Sequence, residues 1–110
     1  TTLTRSALRS PHANEAGGLS GAPLAPLALE RLRDFRKASG GSLPLIAAGG
    51  IATAEDVWTR IKAGASLVQL YSALVYKGPG LARTITRALP ALMARDGFST
   101  IADAIGVEAG

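Results

Sequence analysis

Cysteine is absent from the 110 residues. That excludes disulfides, a thiolate nucleophile and any Cys-ligated zinc or iron–sulfur site. Histidine occurs once, as His12. A multi-histidine metal site or a Ser–His pair would need His12 or residues outside this chain, and no metal site is read here. Aromatics are scarce, with one Trp, two Tyr and two Phe. An RNA-binding sheet that stacks bases on aromatic rings is therefore a poor match. No apolar run approaches the roughly 18 residues of a membrane-spanning helix. The first residues, Thr1-Thr2-Leu3-Thr4-Arg5, lack the apolar core of a secretory signal, so no targeting signal is read. Charge of neither sign dominates. The net value is +4, with 18% charged and 47% hydrophobic residues, which rules out a disordered composition.

What is present is alanine, leucine and glycine in an alternating pattern. Residues 1–26 read as loop, punctuated by Pro11, Asn14, Gly17, Gly18, Gly21, Pro23 and Pro26. The stretch 27–38 reads as an amphipathic helix with Leu29, Leu32 and Phe35 on its apolar side, stopped by Gly40-Gly41. Leu43 to Ala48 is a continuous apolar run, the mark of a strand covered on both faces in a parallel sheet. Thr53 reads as a helix N-cap with Asp56 completing a capping box, and Gly64 as the matching C-cap. Ser66 to Ser72 reads as a second strand. After the turn Lys77-Gly78-Pro79-Gly80, the stripe Leu81, Ile85, Leu89, Leu92 predicts a long helix ended by Asp96-Gly97. Inside it, Pro90 is expected to bend or split the helix near Thr86. A short helix at 100–105 closes the pattern. Strands alternating with helices imply βα units on a parallel sheet, and two strands alone are not a stable sheet. Together with a first residue other than Met, this leads to the expectation that the chain is part of a larger protein.

In βα folds, ligands gather at the carboxyl ends of the strands. Those ends are Gly49-Gly50-Ile51 and Tyr71-Ser72-Ala73. Glycine lets backbone N–H groups approach an anion closely, and the helix N-terminus at Thr53 adds partial positive charge. The pair reads either as a phosphate clasp, like the one built by the last two strand–helix loops of a barrel, or as tight turns. Gly17-Gly18-Leu19-Ser20-Gly21 is a second glycine-rich loop without the Lys-Ser/Thr of a P-loop, and by itself reads as a turn. His12 reads as a surface loop residue. The basic cluster Arg31, Arg33, Arg36, Lys37 is interleaved with Glu30 and Asp34 and reads as a solvated helix face, so no nucleic acid is expected as partner. Gln69 either satisfies a buried partner or faces a ligand, and Trp58 packs between helices.

Five segments in order carry a more specific signal: Thr1-Thr2-Leu3-Thr4-Arg5, Glu15-Ala16-Gly17-Gly18-Leu19-Ser20-Gly21, Gly49-Gly50-Ile51, Ala63 to Tyr71, and Arg95-Asp96-Gly97-Phe98-Ser99. Together they resemble the C-terminal part of the dihydroorotate dehydrogenase family, of the quinone-linked (class 2) type. The resemblance implies an α/β fold: the C-terminal portion of a single FMN-binding (β/α)₈ TIM barrel domain, with residues 1–110 supplying its last two strand–helix units, the preceding helix and the tail. The implied reaction oxidises (S)-dihydroorotate to orotate in pyrimidine biosynthesis, with quinone reoxidising the flavin. Gly21, Gly50, Tyr71 and Ser72 match positions that hold FMN, mostly through backbone N–H groups at the phosphate, and this turns the Gly17–Gly21 reading from turn to cofactor loop. Thr1 matches a threonine that contacts substrate. Ser72 stands where many relatives carry threonine. The serine base, the flavin-contacting lysines and the substrate asparagines have no match in this chain. No catalytic residue is therefore assigned, and the chain alone is expected to be inactive. The resemblance also implies peripheral association with the cytoplasmic or inner mitochondrial membrane, through segments outside this chain. Another FMN- or phosphate-binding barrel enzyme and a non-catalytic anion-binding module are the alternatives.

Overall fold

Short apolar runs that end in glycine pair as strands, and the amphipathic stretches between them fold back as helices. The structure, a computed structural model, describes residues 18–109. Thr1, His12 and most of the glycine-rich loop's approach lie outside the described residues. A 3₁₀ turn, Ala22–Leu24, leads into α1, Ala25–Ser39. Strand β1, Ile46–Ala48, is followed by α2, Ala54–Ala63, and strand β2, Leu67–Gln69. Then come α3, Ser72–Lys77, α4, Leu81–Asp96, and α5, Ile101–Ala104. β1 and β2 are parallel, in the register Ile46 to Leu67, Ala47 to Val68 and Ala48 to Gln69. The α/β alternation expected from the pattern is therefore present.

The helix boundaries follow capping chemistry. Thr53 accepts from the Asp56 N–H, while the Asp56 carboxylate takes the Thr53 N–H, a complete capping box. Gly40, Gly64 and Gly97 cap the C-termini of α1, α2 and α4. Pro26 falls in the first turn of α1, where its missing N–H costs no hydrogen bond.

The core lies where α2 is wedged between β2, α1, α4 and α5. Val57, Trp58, Ile61, Ala63 and Ala65 are buried together with Ala47, Ile51, Leu81, Ile85 and Ala104. Trp58 packs between helices as expected and is fully enclosed, its ring edge-on to Phe98 at 5.8 Å. Truncating a buried tryptophan to alanine costs about 3–5 kcal/mol. Its indole N–H is satisfied by the Asp96 carboxylate at 2.6 Å. Asp96 also accepts from Lys62 at 3.1 Å and from Arg95 at 3.0 Å, and Arg95 reaches on to Glu55. The last turn of the chain is tied to the same helix: Gly106 N–H donates to Ile61 O and Glu108 N–H to Lys62 O.

Four expectations are corrected. The second strand covers Leu67–Gln69, not Ser66 to Ser72, because β1 ends at Ala48 and offers nothing further to pair with; the chain turns into α3 at Ser72 instead. The described residues cover the strands on one face: Ala47 is buried against α1, whereas Ile46 and Leu67 on the opposite face are exposed. Phe35 is 62% exposed, although Leu32 on the same stripe is buried. Steps of three rotate each residue by roughly −60° around a 3.6-residue helix, so the stripe precesses off the core. Of the bend or split expected at Pro90, the split does not occur: α4 runs unbroken through it. Pro90 and Thr86 both lie on the solvent side, where water can take the freed Thr86 carbonyl.

Two measurements test this framework. Asp96, beside the Arg95 guanidinium and accepting from Trp58 and Lys62, has its carboxyl held well below the usual carboxylate range. A depressed folded-state pKa stabilises above the unfolded value of about 4, and that stabilisation is lost as pH falls through the folded value. In the intact protein, Asp96→Asn is therefore destabilised at pH 7, and its deficit in denaturant unfolding shrinks as pH falls below about 4. Pro90→Ala restores a backbone donor to α4 and raises the unfolding free energy by about 1–3 kcal/mol, part of the roughly 3 kcal/mol interior proline penalty.

Candidate functional site

Three loops converge at the carboxyl ends of the two strands. The first carries Ser20 and Gly21 before the 3₁₀ turn, the second is Gly49-Gly50 after β1, and the third is Tyr71-Ser72 before α3. Together they line a cavity of about 280 Å³, with Leu24 and Ile51 among its apolar walls and Gln69, Tyr76 and Lys77 at its rim. All four cofactor-site residues named from the sequence, Gly21, Gly50, Tyr71 and Ser72, lie on this cavity. Thr1 lies outside the described residues. Gln69 is exposed, so it faces the cavity rather than a buried partner.

The loops are fastened to one another. Ser72 Oγ donates to Ser20 Oγ at 3.3 Å, joining the third loop to the first. Lys77 Nζ donates to Ala52 O at 3.2 Å, joining α3 to the second. Arg60 of α2 donates from one nitrogen to Gly49 O at 2.7 Å and to Ala25 O at 3.2 Å, joining the second loop to the start of α1. Burial pushes the Arg60 guanidinium below the usual arginine value, opposed by the charge of Asp56. Arginine stays charged throughout the accessible range, so the site has a fixed cation beneath it and the Lys77 ammonium at its rim.

Backbone donors are the chemistry this arrangement offers. Among the described residues, the N–H groups of Gly21, Gly50, Tyr71 and Ser72 have no protein acceptor. Gly21, Gly50 and Ser72 are half-buried, where N–H groups are otherwise nearly always paired, so an unpaired set on one cavity suits an anion. The turn ahead of α2 is held by the third residue of that helix: Asp56 Oδ2 accepts from both Ala52 N–H (2.9 Å) and Thr53 N–H (3.0 Å). By contrast, α3 begins with no side-chain cap.

The reason for glycine at position 50 also differs from the one its pattern suggests. Gly50 has φ +72°, and a Cβ there would lie 2.5 Å from the Ala25 backbone. The close approach is to α1, not to the anion space. At Gly21, with φ +73°, a Cβ would meet Ser72 Cβ at an ordinary 3.6 Å.

Arg60, Lys77 and Ser20 were not singled out by sequence reasoning. For Arg60 there was a signal: it lies on the inward arc of α2 beside Ile61 and three residues after Val57, a charge on an apolar face. Lys77 and Ser20 gave none, since each is a polar residue in a loop or at a helix end.

Comparison with known proteins agrees with this geometry. Residues 1–93 match the dihydroorotate dehydrogenase family model. The chain is 63% identical over 108 residues to a dihydroorotate dehydrogenase (quinone) of Novosphingobium aromaticivorans, covering 98% of this chain and 31% of that protein. It is 66% identical over 109 residues to the enzyme of that name from Sphingopyxis alaskensis, covering 99% and 31%. Among solved structures, DHODH from Eimeria tenella in complex with ferulenol superposes with a TM-score of 0.93 at 39% identity, covering 98% of this chain and 29% of that one. The chain thus spans about a third of the relatives it matches, and its fold is the C-terminal part of a (β/α)₈ barrel.

Substitutions separate the two glycine roles. Gly21→Ala carries the left-handed backbone strain alone, about 1–3 kcal/mol. Gly50→Ala adds the collision with Ala25 and destabilises more. Denaturant unfolding of the two variants of the intact protein checks the order.

Proposed function

The chain belongs to the dihydroorotate dehydrogenase family, and from that premise we propose that it is the C-terminal part of a single barrel domain that oxidises (S)-dihydroorotate to orotate, with a quinone as electron acceptor, in pyrimidine biosynthesis. Its own contribution is the site for the FMN phosphate. The observation that carries this reading is that four residues whose backbone N–H groups have no acceptor among the described residues line one cavity.

The donor set fits a phosphate. Amides of Gly21, Gly50, Tyr71 and Ser72 hold its oxygens, and the Lys77 and Arg60 charges offset its negative charge. Leu24 and Ile51 give the cavity apolar walls, which strengthens each polar contact by keeping water out. When bound, the flavin supplies the hydride-accepting ring, while the protein positions it. Thr1 contacts the substrate, and the base that removes its proton belongs to residues outside this chain. The enzyme sits peripherally on the cytoplasmic or inner mitochondrial membrane through segments outside this chain. No helix among the described residues is long and apolar enough to cross a membrane.

A charge-assisted hydrogen bond is worth about 1.5–3 kcal/mol, or about 10- to 150-fold in affinity. The flavin-stripped full-length enzyme therefore binds FMN at least about tenfold more tightly than riboflavin, which lacks the phosphate. Fluorescence titration of both flavins measures the ratio, and equal affinities would overturn the phosphate assignment. Ser72→Ala keeps its backbone N–H and retains most of the discrimination.

A further inference from the structure

We propose that Arg60 is a positioning residue that locks the Gly49–Gly50 peptide with its N–H toward the phosphate. The proposal rests on the phosphate reading above and deepens it.

Arg60 is 3% exposed, and it is the buried charged side chain of the described core. It forms no ion pair among the described residues. Asp56, one turn earlier on α2, is occupied with the Ala52 and Thr53 amides. Nη1 is buried without an acceptor. A buried cation without an ionic partner is a poor way to stabilise a core, and an apolar side chain of equal reach would be better. The role of the arginine is instead visible in what Nη2 touches. It holds Gly49 O and Ala25 O at once, so a single atom sets the spacing of the second loop and the start of α1.

The decisive geometry is that of the peptide plane. In a trans peptide, the C=O and the following N–H point in opposite directions. All peptide bonds among the described residues are trans. With Gly49 O drawn down to Arg60, the Gly50 N–H of the same peptide points away from Arg60, to the cavity side. A glycine on either side, at φ +96° and +72°, means no Cβ opposes a flip of this peptide. A flipped peptide would present its carbonyl to the anion. The guanidinium prevents this, and by polarising the carbonyl it strengthens the donor at the other end. Arg60 thus acts on the phosphate through the peptide without touching it.

The test is the FMN-to-riboflavin affinity ratio of the flavin-stripped full-length enzyme, wild type against Arg60→Met, with apo-protein unfolding measured alongside. Methionine keeps the reach and removes both the donors and the charge. The expected result is a loss of FMN affinity of about tenfold or more, with riboflavin affinity nearly unchanged and apo stability undiminished. A merely structural Arg60 would weaken both flavins together and lower apo stability, and that outcome overturns the proposal, as does an unchanged ratio. Should Arg60→Met not yield folded protein, Arg60→Gln retains an amide donor and removes the charge, and the same ratio decides. If the wild type itself fails to distinguish the two flavins, the phosphate reading falls, independently of Arg60.

Discussion

The turn from Gly49 to Thr53 has to keep the Gly50 amide free while the groups at its two ends are held in place, and the rest of the site depends on how that is done. Unpaired backbone groups are costly wherever water is excluded. Here the helix that follows the turn does the pairing. Asp56 takes the Ala52 and Thr53 amides, and Arg60, one turn further along α2, takes the Gly49 carbonyl. Two side chains of opposite charge at i and i+4 thus grip the two ends of one turn. What remains available is the stretch between them.

That grip only works if α2 itself is immobile, and the far end of the helix provides this. Trp58 is buried against Phe98 and donates to Asp96, which also gathers Lys62 and Arg95. The chain beyond α5 returns to α2 and gives its Gly106 and Glu108 amides to the carbonyls of Ile61 and Lys62. The helix therefore holds the site through Asp56 and Arg60 while the tail clamps its last turn at Ile61 and Lys62, so donors at the site can stay unpaired without unfolding the core.

Much of this was legible beforehand because it is local. Thr53 and Asp56 form a capping box in the chain as in the structure, and Gly40, Gly64 and Gly97 end their helices where their positions suggested. The glycines and hydroxyls at the strand ends are found on one cavity, as the parallel alternation implied. The illegible parts all involve a partner distant in sequence. α3 follows a strand cut short by the length of β1 rather than by its own residues. Phe35 belongs by spacing to an apolar stripe, yet it faces solvent because α1 meets the core along Leu32.

By itself, then, the sequence determined the order of elements, their caps and the class of loop at the strand ends, since these rest on interactions spanning only a few residues. Only the tertiary structure decided which donors stay open. The Ala52 and Thr53 amides beside the site are taken by Asp56. Gly50 looked like a space reserved for an anion and is a contact with Ala25. Arg60 was passed over in the linear pattern and is a buried cation holding the Gly49 carbonyl. Whether an amide is free, or a glycine is required, depends on what the fold brings within about 3 Å of it, and that distance is set by packing between segments that the linear pattern leaves unrelated.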